Sequence, residues 1–456
     1  MAAGHGTRMR SSLPKVLHPV CGKPMIHWVI DAARRAGAGR IVCVTRPGEG
    51  VEEALPDGVE AASQTNGEGT GSAILAARDD IAPDTTVVVL SGDHPLISAD
   101  LIAGLVSRHE SEHACATLLT TDCIDPSGYG RIVRAHDGSV ERIVETKYPD
   151  QVPPEELDIR EVNIGAYAFT AGDLFGALDK VGETGGERYL TGVFPLINQN
   201  GGRIAAELTD DIFSSIGVNT RADLMVVERQ LTSRLIEEHA LTGVTFVSPH
   251  TTTIEADVEI GEDTVVGPGV TIHAGTRIGK GCEIGPHTTL INARLANEVW
   301  VAHSYLVECE VRDGARIGPF AYLRPGTLVR EGAKIGTFVE VKNSDIGRGT
   351  KVPHLSYLGD ADVGEQTNVG AGNITANYDG RKKHRTKIGN RVKTSVDTSF
   401  VAPVSVGDDA YTGAGSVITD DVPDGALGIA RARQKNLEGY AQRKEQEASS
   451  DEQPGD

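Results

Sequence analysis

Residues 253–290 read TIEADVEIGEDTVVGPGVTIHAGTRIGKGCEIGPHTTL, with an aliphatic side chain at every sixth position from Ile254 to Leu290. A period of six fits neither an α-helix nor the two-residue alternation of a long strand. It is typical of repeats in which a short strand is followed by a turn, so that three repeats close a triangular coil with stacked inward side chains. The stretch therefore predicts a parallel β-helix.

The same register resumes after an irregular stretch around residues 292–308 and continues almost to the end of the chain. Its inward positions are Ile317, Leu323, Val329, Ile335, Val341, Ile346, Val352, Leu358, Val363, Val369, Ile388, Thr394, Phe400, Val406, Thr412 and Ile418. The 13-residue step from Thr375 to Ile388 holds the insertion NYDGRKKHRT, and loops expelled from a repeat often carry function. We expect the β-helix domain to span residues 243–439 and the polar tail, residues 440–456, to be disordered.

The first half of the chain alternates β-branched strands with amphipathic helices. TTVVVLSGD is a strand that runs into Asp93, and ADLIAGLVSRHES after it is a helix. Repeated strand and helix units favour a Rossmann-like, mostly parallel sheet, whose ligands bind beyond the carboxyl ends of the strands. We expect this α/β domain over residues 1–219 and a connecting helix over residues 220–242.

The chain opens on the glycine-containing loop MAAGHGTRMRSSLPK, residues 1–15. Gly4 and Gly6 permit tight turns, which expose backbone N–H groups to a ligand. Arg8 and Lys15 follow and can neutralise a polyphosphate lying on that backbone. The loop alone indicates a phosphate-binding site, although glycine loops also serve as plain turns.

Composition limits the partners of this chain. It has 456 residues, a formal net charge of -20 and 39% hydrophobic residues. The acidic balance opposes nonspecific binding to nucleic acid or anionic lipid, but allows local cationic pockets for phosphate. The six cysteines contain no C-x-x-C pair, as is typical of free thiols in a reducing cytosol. No apolar run approaches the roughly 18 residues of a membrane span, so we expect a cytoplasmic protein that acts on small anionic molecules.

Together these motifs resemble one family of enzymes over nearly the whole chain. The opening loop is similar to the G-x-G-T-R-(M)-x-PK loop of sugar-nucleotide pyrophosphorylases, and SGDHP at residues 91–95 resembles their metal-binding aspartate motif. Taken together with the six-residue repeats of the second half, these motifs make the chain resemble the bifunctional N-acetylglucosamine-1-phosphate uridyltransferase/glucosamine-1-phosphate N-acetyltransferases. The resemblance implies an α/β nucleotidyltransferase domain followed by a left-handed parallel β-helix, a homotrimer, and the use of UTP, acetyl-CoA and Mg²⁺.

For the first domain, the resemblance implies a uridyltransferase site without a protein nucleophile. The phosphate of N-acetylglucosamine 1-phosphate would attack the α-phosphorus of UTP in line, with cations stabilising the pyrophosphate leaving group. The implied residues are Ala2, Ala3, Gly4, Arg8, Lys15, Gln64, Gly69 and Thr70 for the nucleotide, Gly130, Glu145, Asn163 and Asn219 for the sugar phosphate, and Asp93 and Asn219 for Mg²⁺.

For the β-helix, the resemblance implies an acetyltransferase site with His354, in PHLSY, as the general base. A base is needed because a glucosamine ammonium must lose a proton before it attacks a thioester, and histidine titrates near neutrality. The other implied residues are Arg324, Lys342, Tyr357 and Asn368 for the sugar phosphate, and Ala371, Asn377, Tyr378, Lys383, Val396, Ala414 and Arg431 for acetyl-CoA.

Two departures from the family pattern lead to expectations of their own. Family members carry a buried apolar strand before the opening loop, where this sequence has Met1. Two explanations stay open: either the start codon is misassigned, or a central strand of the sheet is missing, in which case we expect weakened uridyl transfer. In the β-helix the family motif G-S-D-T is replaced by Ser395-Val396-Asp397-Thr398. Because neighbouring side chains on a strand point to opposite faces, Ser395 does not replace the lost serine, and we expect slower acetyl transfer.

Two alternatives to the bifunctional enzyme stay open at this stage. The chain can be a nucleotidyltransferase alone, with the β-helix as a trimerisation scaffold, although His354, Asn377 and Tyr378 in matching context argue against it. It can also be a non-catalytic trimeric binding protein. Assays of the two half reactions separate these readings.

Overall fold

A computed structural model describes residues 1–79, 81–146, 150 and 152–451. The chain forms two compact units. The first comprises Met1–His239 with Thr253–Asp257, and the second comprises Ala240–Thr252 with Val258–Asp456. Among the described residues, no helix is long and apolar enough to cross a membrane.

The first unit is an α/β domain that confirms the predicted class. Its strands are β1 (Pro19–Val20), β2 (Lys23–Pro24), β3 (Val42–Thr45), β4 (Glu60–Ser63), β5 (Thr86–Val89), β6 (Ala116–Asp122), β7 (Arg131–Arg134), β8 (Val140–Val144), β9 (Glu161–Thr170) and β10 (Ile204–Thr209). Its helices are α1 (Met25–Arg35), α2 (Thr70–Leu75), α3 (Ala99–Ser111), α4 (Pro154–Leu157), α5 (Ala171–Leu178) and α6 (Val193–Gln199). The predicted connecting helix is α7 (Arg221–Leu241).

The main sheet of this unit is more mixed than the repeated strand and helix pattern indicates. Its order is β10-β6-β9-β7-β8, with β5 also paired to β9. Strands β6 and β10 are parallel, as are β3 and β4, whereas β9 runs antiparallel to β5, β6 and β7. Side chains of β5, β6 and β9 pack with α5 and α6 in a core built around Phe169 and Phe194.

Met1 and Ala2 lie between β3 and β5 as the last rung of a parallel strand. The Met1 ammonium donates to Leu90 O at 2.8 Å, and the Gly92 N–H donates to Met1 O at 2.8 Å. On the other side, the Ala2 N–H donates to Val44 O at 2.8 Å. Beyond this rung a cavity of about 650 Å³ separates the two strands and is lined by aliphatic side chains of β3, β5 and α1. We call this cavity the strand slot.

The second unit is the predicted parallel β-helix, built from three sheets that we call faces. Strand β12 (Thr253–Ile254) falls in the first unit. Face 1 contains β11 (Thr245–Phe246), β14 (Val265–Val266), β17 (Glu283–Ile284), β20 (Trp300–Val301), β23 (Arg316–Ile317), β26 (Lys334–Thr337), β29 (Lys351–His354), β36 (Tyr411–Thr412) and β38 (Leu427–Gly428).

Face 2 contains β15 (Thr271–Ile272), β18 (Thr289–Ile291), β21 (Tyr305–Val307), β24 (Tyr322–Leu323), β27 (Glu340–Lys342), β30 (Tyr357–Gly359), β32 (Ile374–Ala376), β34 (Ser399–Val401) and β37 (Val417–Ile418). Face 3 contains β13 (Glu259–Ile260), β16 (Arg277–Ile278), β19 (Arg294–Leu295), β22 (Glu310–Val311), β25 (Leu328–Val329), β28 (Asp345–Ile346), β31 (Ala361–Val363), β33 (Thr386–Ile388) and β35 (Val404–Val406). Each strand pairs in parallel with the strand one coil away.

The six-residue register predicts the interior correctly, because every predicted inward position from Ile254 to Ile418 is at most 9% exposed. The six-residue register is irregular around residues 292–308, as the sequence indicates, but the coil is not interrupted there. The coils continue through it, with Leu295, Val301 and Leu306 buried at inward positions. Their spacing alternates between five and six residues, since some corners are one residue shorter, and this breaks the sequence pattern while the coil stays intact.

The corners between faces carry residues in the left-handed backbone region. The first corner, between faces 1 and 2, has Phe320 (φ 59°), Phe338 (φ 56°) and Leu355 (φ 50°), and the second, between faces 2 and 3, has Asn343 (φ 45°) and Asp360 (φ 50°). Asparagine and aspartate tolerate this region, whereas it is unusual for phenylalanine and leucine. The repeated geometry stacks the corner side chains of successive coils.

The end of the chain differs from the predicted disorder. Residues Tyr440–Asp451 form a helix, α8. Its side chains are exposed as far as they are described, so little apolar burial supports it. The residues predicted as tail beyond Asp451 lie outside the described part of the chain.

Candidate active sites

The opening loop turns at Gly6 and brings Lys15 to the carboxyl ends of the strands. Gly6 has φ 57°, and a Cβ at this position would lie 2.7 Å from the Cβ of Lys15. Glycine is therefore needed for both the turn and the close approach of the lysine. Gly4 is exposed, with open space where its Cβ would point, so its backbone is accessible to a ligand. Ala3 O accepts from Arg46 Nε, and the Ala2 N–H is used in the sheet.

Four predicted residues of the uridyltransferase site meet at one point. Lys15 Nζ forms an ion pair with Asp93 Oδ2 and lies 3.3 Å from Asn219 Oδ1. Arg8 Nη2 donates to the same Asn219 oxygen at 2.8 Å. Burial opposes ionisation of Asp93, but His94, whose Nδ1 lies 3.0 Å away, and Lys15 lower the pKa of the carboxyl well below its ordinary value. Asp93 is thus an anion paired with the Lys15 ammonium.

The predicted magnesium ligands fit a hard divalent cation in chemistry and number. Asp93 offers a buried carboxylate, and Asn219 offers an amide oxygen already bonded by two cations. Mg²⁺ in phosphate-transfer sites takes one or two carboxylate ligands and completes its shell with water and phosphate oxygens. No group of three or more His, Cys, Asp or Glu suited to a metal occurs among the described residues, so the phosphates would have to supply ligands.

The predicted base-reading loop is closed by Gln64. Its Nε2 donates to Gly67 O at 3.0 Å and reaches Gly69 O at 3.4 Å. Gly69 has φ 93°, and a Cβ there would lie 2.5 Å from Arg188 O. Thr70 begins α2, and its Oγ1 accepts from the Leu190 N–H at 2.9 Å.

Sequence reasoning missed Arg46, which joins this loop to the opening loop. Its Nη2 donates to Glu68 Oε2 at 2.6 Å, while its Nε holds Ala3 O. His5 Nε2 also lies 3.8 Å from Glu68 Oε1. An arginine at the end of a short strand carries no motif of its own, so only the structure could reveal it.

The predicted sugar positions of the first domain also converge. The Asn163 N–H donates to Gly130 O at 2.9 Å, and Asn163 Nδ2 donates to Tyr167 Oη at 2.6 Å. Glu145 Oε1 accepts from Thr191 Oγ1 at 2.8 Å. Burial raises the pKa of the Tyr167 hydroxyl, and the Glu145 charge adds to that shift. Tyr167 and Thr191 position this cluster, and neither belongs to a motif.

In the β-helix, successive strands of face 2 bring three predicted sugar-phosphate residues together. The Arg324 N–H donates to Val341 O at 2.9 Å, which places Arg324 beside Lys342 one coil on. Lys342 is in turn paired with Gly359 across β27 and β30, two residues after Tyr357. Arg324 Nη1 also donates to Glu340 Oε1 at 2.8 Å. Asn368 is separate, because it pairs with Lys351 and Lys393 on face 1.

The inserted loop leaves the second corner at Asn377 and carries Lys383. Asn377 is buried and donates through Nδ2 to Asp360, while Tyr378 and Lys383 face each other in an antiparallel bridge. Tyr378 is 62% exposed. The loop returns at Arg385, which is bound to the Asp362 carboxylate.

The first corner stacks His354 with three predicted coenzyme positions. His354 O accepts from the Gly372 N–H at 3.4 Å, the Asp397 N–H donates to Ala371 O at 2.8 Å, and the Gly415 N–H donates to Val396 O at 3.0 Å. Ala371, Val396 and Ala414 therefore follow His354 along the first corner of the β-helix, on successive coils. His354 is exposed, Val396 is 47% exposed, and Arg431 lies beyond the last coil with an exposed side chain.

Comparisons with known proteins identify the family of the chain. Residues 1–188 match the MobA-like NTP transferase domain, and residues 257–292 match the bacterial transferase hexapeptide of six repeats. The chain is 44% identical to the bifunctional protein GlmU of Mycobacterium tuberculosis over 97% of this chain and 92% of the relative. It is 43% identical to the bifunctional protein GlmU of Caldanaerobacter subterraneus over 97% of this chain and 96% of the relative. The chain therefore belongs to the GlmU family of bifunctional uridyltransferase and acetyltransferase enzymes.

Proposed function

We propose that this chain acetylates glucosamine 1-phosphate in the β-helix and then transfers a uridylyl group to the product in the α/β domain, giving UDP-N-acetylglucosamine. The family carries both activities, and each unit holds the corresponding cluster. The observation that carries the first half is the placing of Arg324 beside Lys342, which meets Lys383 and is joined through Asp360 to the buried Asn377. The second half is carried by the meeting of Arg8, Lys15, Asp93 and Asn219.

Uridyl transfer in this site depends on positioning and charge. Lys15 and Arg8 would leave Asp93 and Asn219 for the phosphates of UTP, because phosphate oxygens offer them more negative charge. Asp93 and Asn219 would then hold Mg²⁺, which when bound neutralises charge on the bridging phosphates. Gln64 lies on the loop that would receive uracil, and the Gly130 and Asn163 cluster would hold the sugar.

Replacing Lys15 with alanine tests the uridyltransferase assignment. We expect Lys15→Ala to lower uridyl transfer from UTP by about 10² to 10³-fold, since it removes a cation aimed at developing phosphate charge, and to leave acetyl transfer unchanged. Pyrophosphate release measures the first activity, and free coenzyme A thiol measures the second. Lys23→Ala is the matched control, because Lys23 pairs with Asp31 outside the loop. Full uridyl transfer by Lys15→Ala would contradict the assignment.

Acetyl transfer requires two proton losses from the nitrogen and one acyl transfer. His354 would take the first proton from the glucosamine ammonium, and the freed amine nitrogen would form a bond to the thioester carbon. As the carbon–sulfur bond breaks, the nitrogen gives up its second proton and the coenzyme A thiolate takes up a proton, so that an amide and a thiol are released. Arg324 and Lys342 would hold the sugar phosphate. Val396 at the first corner offers no hydroxyl to the thioester, so we retain the expectation of slower acetyl transfer.

We propose that the chain acts as a homotrimer in the cytoplasm. The predicted acetyltransferase residues lie on different faces of the β-helix, with Asn368 on face 1 and Lys342 on face 2. A neighbouring copy is therefore needed to complete one acetyltransferase site. The first corner also exposes an apolar stripe of Phe320, Phe338 and Leu355, at 53%, 60% and 61%. Exposed stripes of this kind mark protein interfaces, and this one runs directly into His354.

The stripe gives a test of the trimer. We expect Phe338→Ser to weaken the assembly and lower acetyl transfer by at least about tenfold, because it removes an apolar ring from the centre of the interface. Sedimentation measures the assembly, and uridyl transfer reports whether the first unit is intact. Ile124→Ser is the control, since Ile124 is 91% exposed in the first unit. A Phe338→Ser chain that sediments and acetylates as the unmodified chain does would exclude this interface.

The proposed boundaries are those predicted from the sequence: residues 1–219, 220–242, 243–439 and 440–456. The two compact units divide near His239, inside α7. This supports a domain boundary that lies within the connecting helix.

A further inference from the structure

We propose that Asp360 is the positioning residue of the acetyl-transfer site: its carboxylate holds Asn377 at the base of the inserted loop and keeps Lys342 and Lys383 side by side for the phosphate of the substrate. The inference rests on the proposed acetyl transfer and adds to it a residue outside the predicted set. It follows from the hydrogen bonds around one buried carboxylate.

The Asp360 carboxylate is at the centre of a closed polar network. Asp360 is 6% exposed. Asn343 Nδ2 donates to Oδ1 at 2.6 Å, Asn377 Nδ2 donates to Oδ2, and Lys342 Nζ lies 3.6 Å from Oδ2. Lys342 and Asn343 lie on the coil before Asp360, and Asn377 lies on the coil after it, at or beside the second corner. The carboxylate therefore fixes the start of the inserted loop against the two coils before it.

The backbone alone does not account for an aspartate at this corner. Asp360 has φ 50°, and Asn343 one coil earlier has φ 45°. Asparagine tolerates this conformation as well as aspartate does. The backbone therefore explains the size and shape of the side chain at this corner, but not its negative charge. We attribute the charge to the two nearby lysines.

Lys342 and Lys383 bring two positive charges to one place. A hydrogen bond from Lys342 and its charge lower the pKa of Lys383, and the Asp360 charge opposes this shift. Burial opposes ionisation of Asp360, but Asn343, Asn377 and the two lysines lower the pKa of its carboxyl. The other ionisable groups that face this cluster are Tyr357 and Arg385. Like charges this close separate or deprotonate without a counter-ion, and Asp360 supplies it.

The consequence concerns the substrate. A phosphate that enters between the lysines needs both of them protonated, and it needs the loop that carries Lys383 in place. Asp360 meets both needs without touching the sugar, because its oxygens are occupied by the two asparagines. Its effect should fall on substrate binding and on the pH range over which the lysines stay charged.

The test uses the full chain and the variant Asp360→Asn, which keeps the shape but removes the charge. We expect the KM for glucosamine 1-phosphate to rise about tenfold with a smaller change in kcat, and the alkaline limb of kcat/KM to move about one unit to lower pH. The direction follows because the Asp360 charge raises the pKa of Lys383, so losing the carboxylate lowers it. Asp263→Asn is the matched control, since Asp263 also occupies a left-handed corner (φ 61°).

A double-mutant cycle with Lys383→Met separates positioning from simple destabilisation. With the Lys383 charge removed, we expect Asp360→Asn to cost much less than it does in the unmodified chain. If the two substitutions acted independently, so that their effects on kcat/KM multiplied, the proposal would be overturned. It would also be overturned if Asp360→Asn left both KM and the alkaline limb of kcat/KM unchanged. An unmodified chain that did not acetylate would overturn both this inference and the proposed acetyl transfer, whereas the other two outcomes overturn the inference alone.

Discussion

The His354→Ala chain is expected to lose acetyl transfer by about 10² to 10⁴-fold, the usual contribution of a general base, and to keep its uridyl transfer. The histidine is exposed at the first corner beside Ala371 and Val396, where it reaches an incoming amine without leaving a packed core. Because its side chain is not buried, the change removes the base with little cost in stability. Free coenzyme A thiol over time measures the loss.

His250→Ala is the control for this experiment, because His250 is an exposed histidine of the same unit. The two variants should melt alike and differ only in acetyl transfer. Normal acetylation by His354→Ala would remove the base from the mechanism. An unmodified chain that did not acetylate would instead favour the alternative in which the β-helix is a scaffold for a nucleotidyltransferase.

Extending the chain by five or six apolar residues before Met1 is expected to stabilise the first unit and raise uridyl transfer. The added strand would continue the rung formed by Met1 and Ala2 into the strand slot, with β3 and β5 as its neighbours. Five buried aliphatic side chains contribute about 1.5 to 3 kcal/mol each, against an ordering cost of about 1.5 kcal/mol per residue. The difference for five residues is about 0 to 7.5 kcal/mol, and its midpoint of about 4 kcal/mol corresponds to about 8 to 16 °C in Tm for a unit of this size.

The same extension should change how stability depends on pH. Burial lowers the pKa of the Met1 α-amino group from its ordinary value of 8.0. The unfolded chain therefore binds a proton that the folded chain does not, so the free energy of unfolding rises as the pH increases toward 8. In the extended chain Met1 N is an uncharged amide, and this dependence should disappear. An extension with serine and asparagine in place of the apolar residues is the control. Equal Tm values for the two extensions would contradict the binding of the apolar strand in the strand slot.

The interior of the β-helix could be predicted almost completely from the sequence. A strand followed by a turn repeats its inward side chain at a fixed interval, and burial enforces that interval at every coil. The shortened corners near Leu295 and Leu306 were missed because a one-residue deletion shifts the pattern but not the coil. The antiparallel β9 was missed for another reason: strand direction depends on pairing partners far away in sequence, which periodicity does not report.

Motifs predicted the residues that meet in the candidate sites better than those that support them. Lys15, Asp93 and Asn219 meet as the resemblance implies. Arg46 and Asp360 were not predicted from the sequence. An arginine after a strand and an aspartate at a turn are common, and most of them have structural roles. Their importance lies in the partners they reach, which only the folded chain brings together.

The coil-by-coil pairing of the β-helix also affects how the chain folds. Bonds between neighbouring coils join residues about one coil apart, such as Ala321 to Ser304, 17 positions away. In the first unit, Met1 is bonded to a residue 89 positions away and Thr121 to one 88 positions away. Local pairing folds fast, and distant pairing must wait for loop closure. During synthesis, the first unit cannot complete its sheet until residue 209 is available, whereas the β-helix can add each coil as it leaves the ribosome.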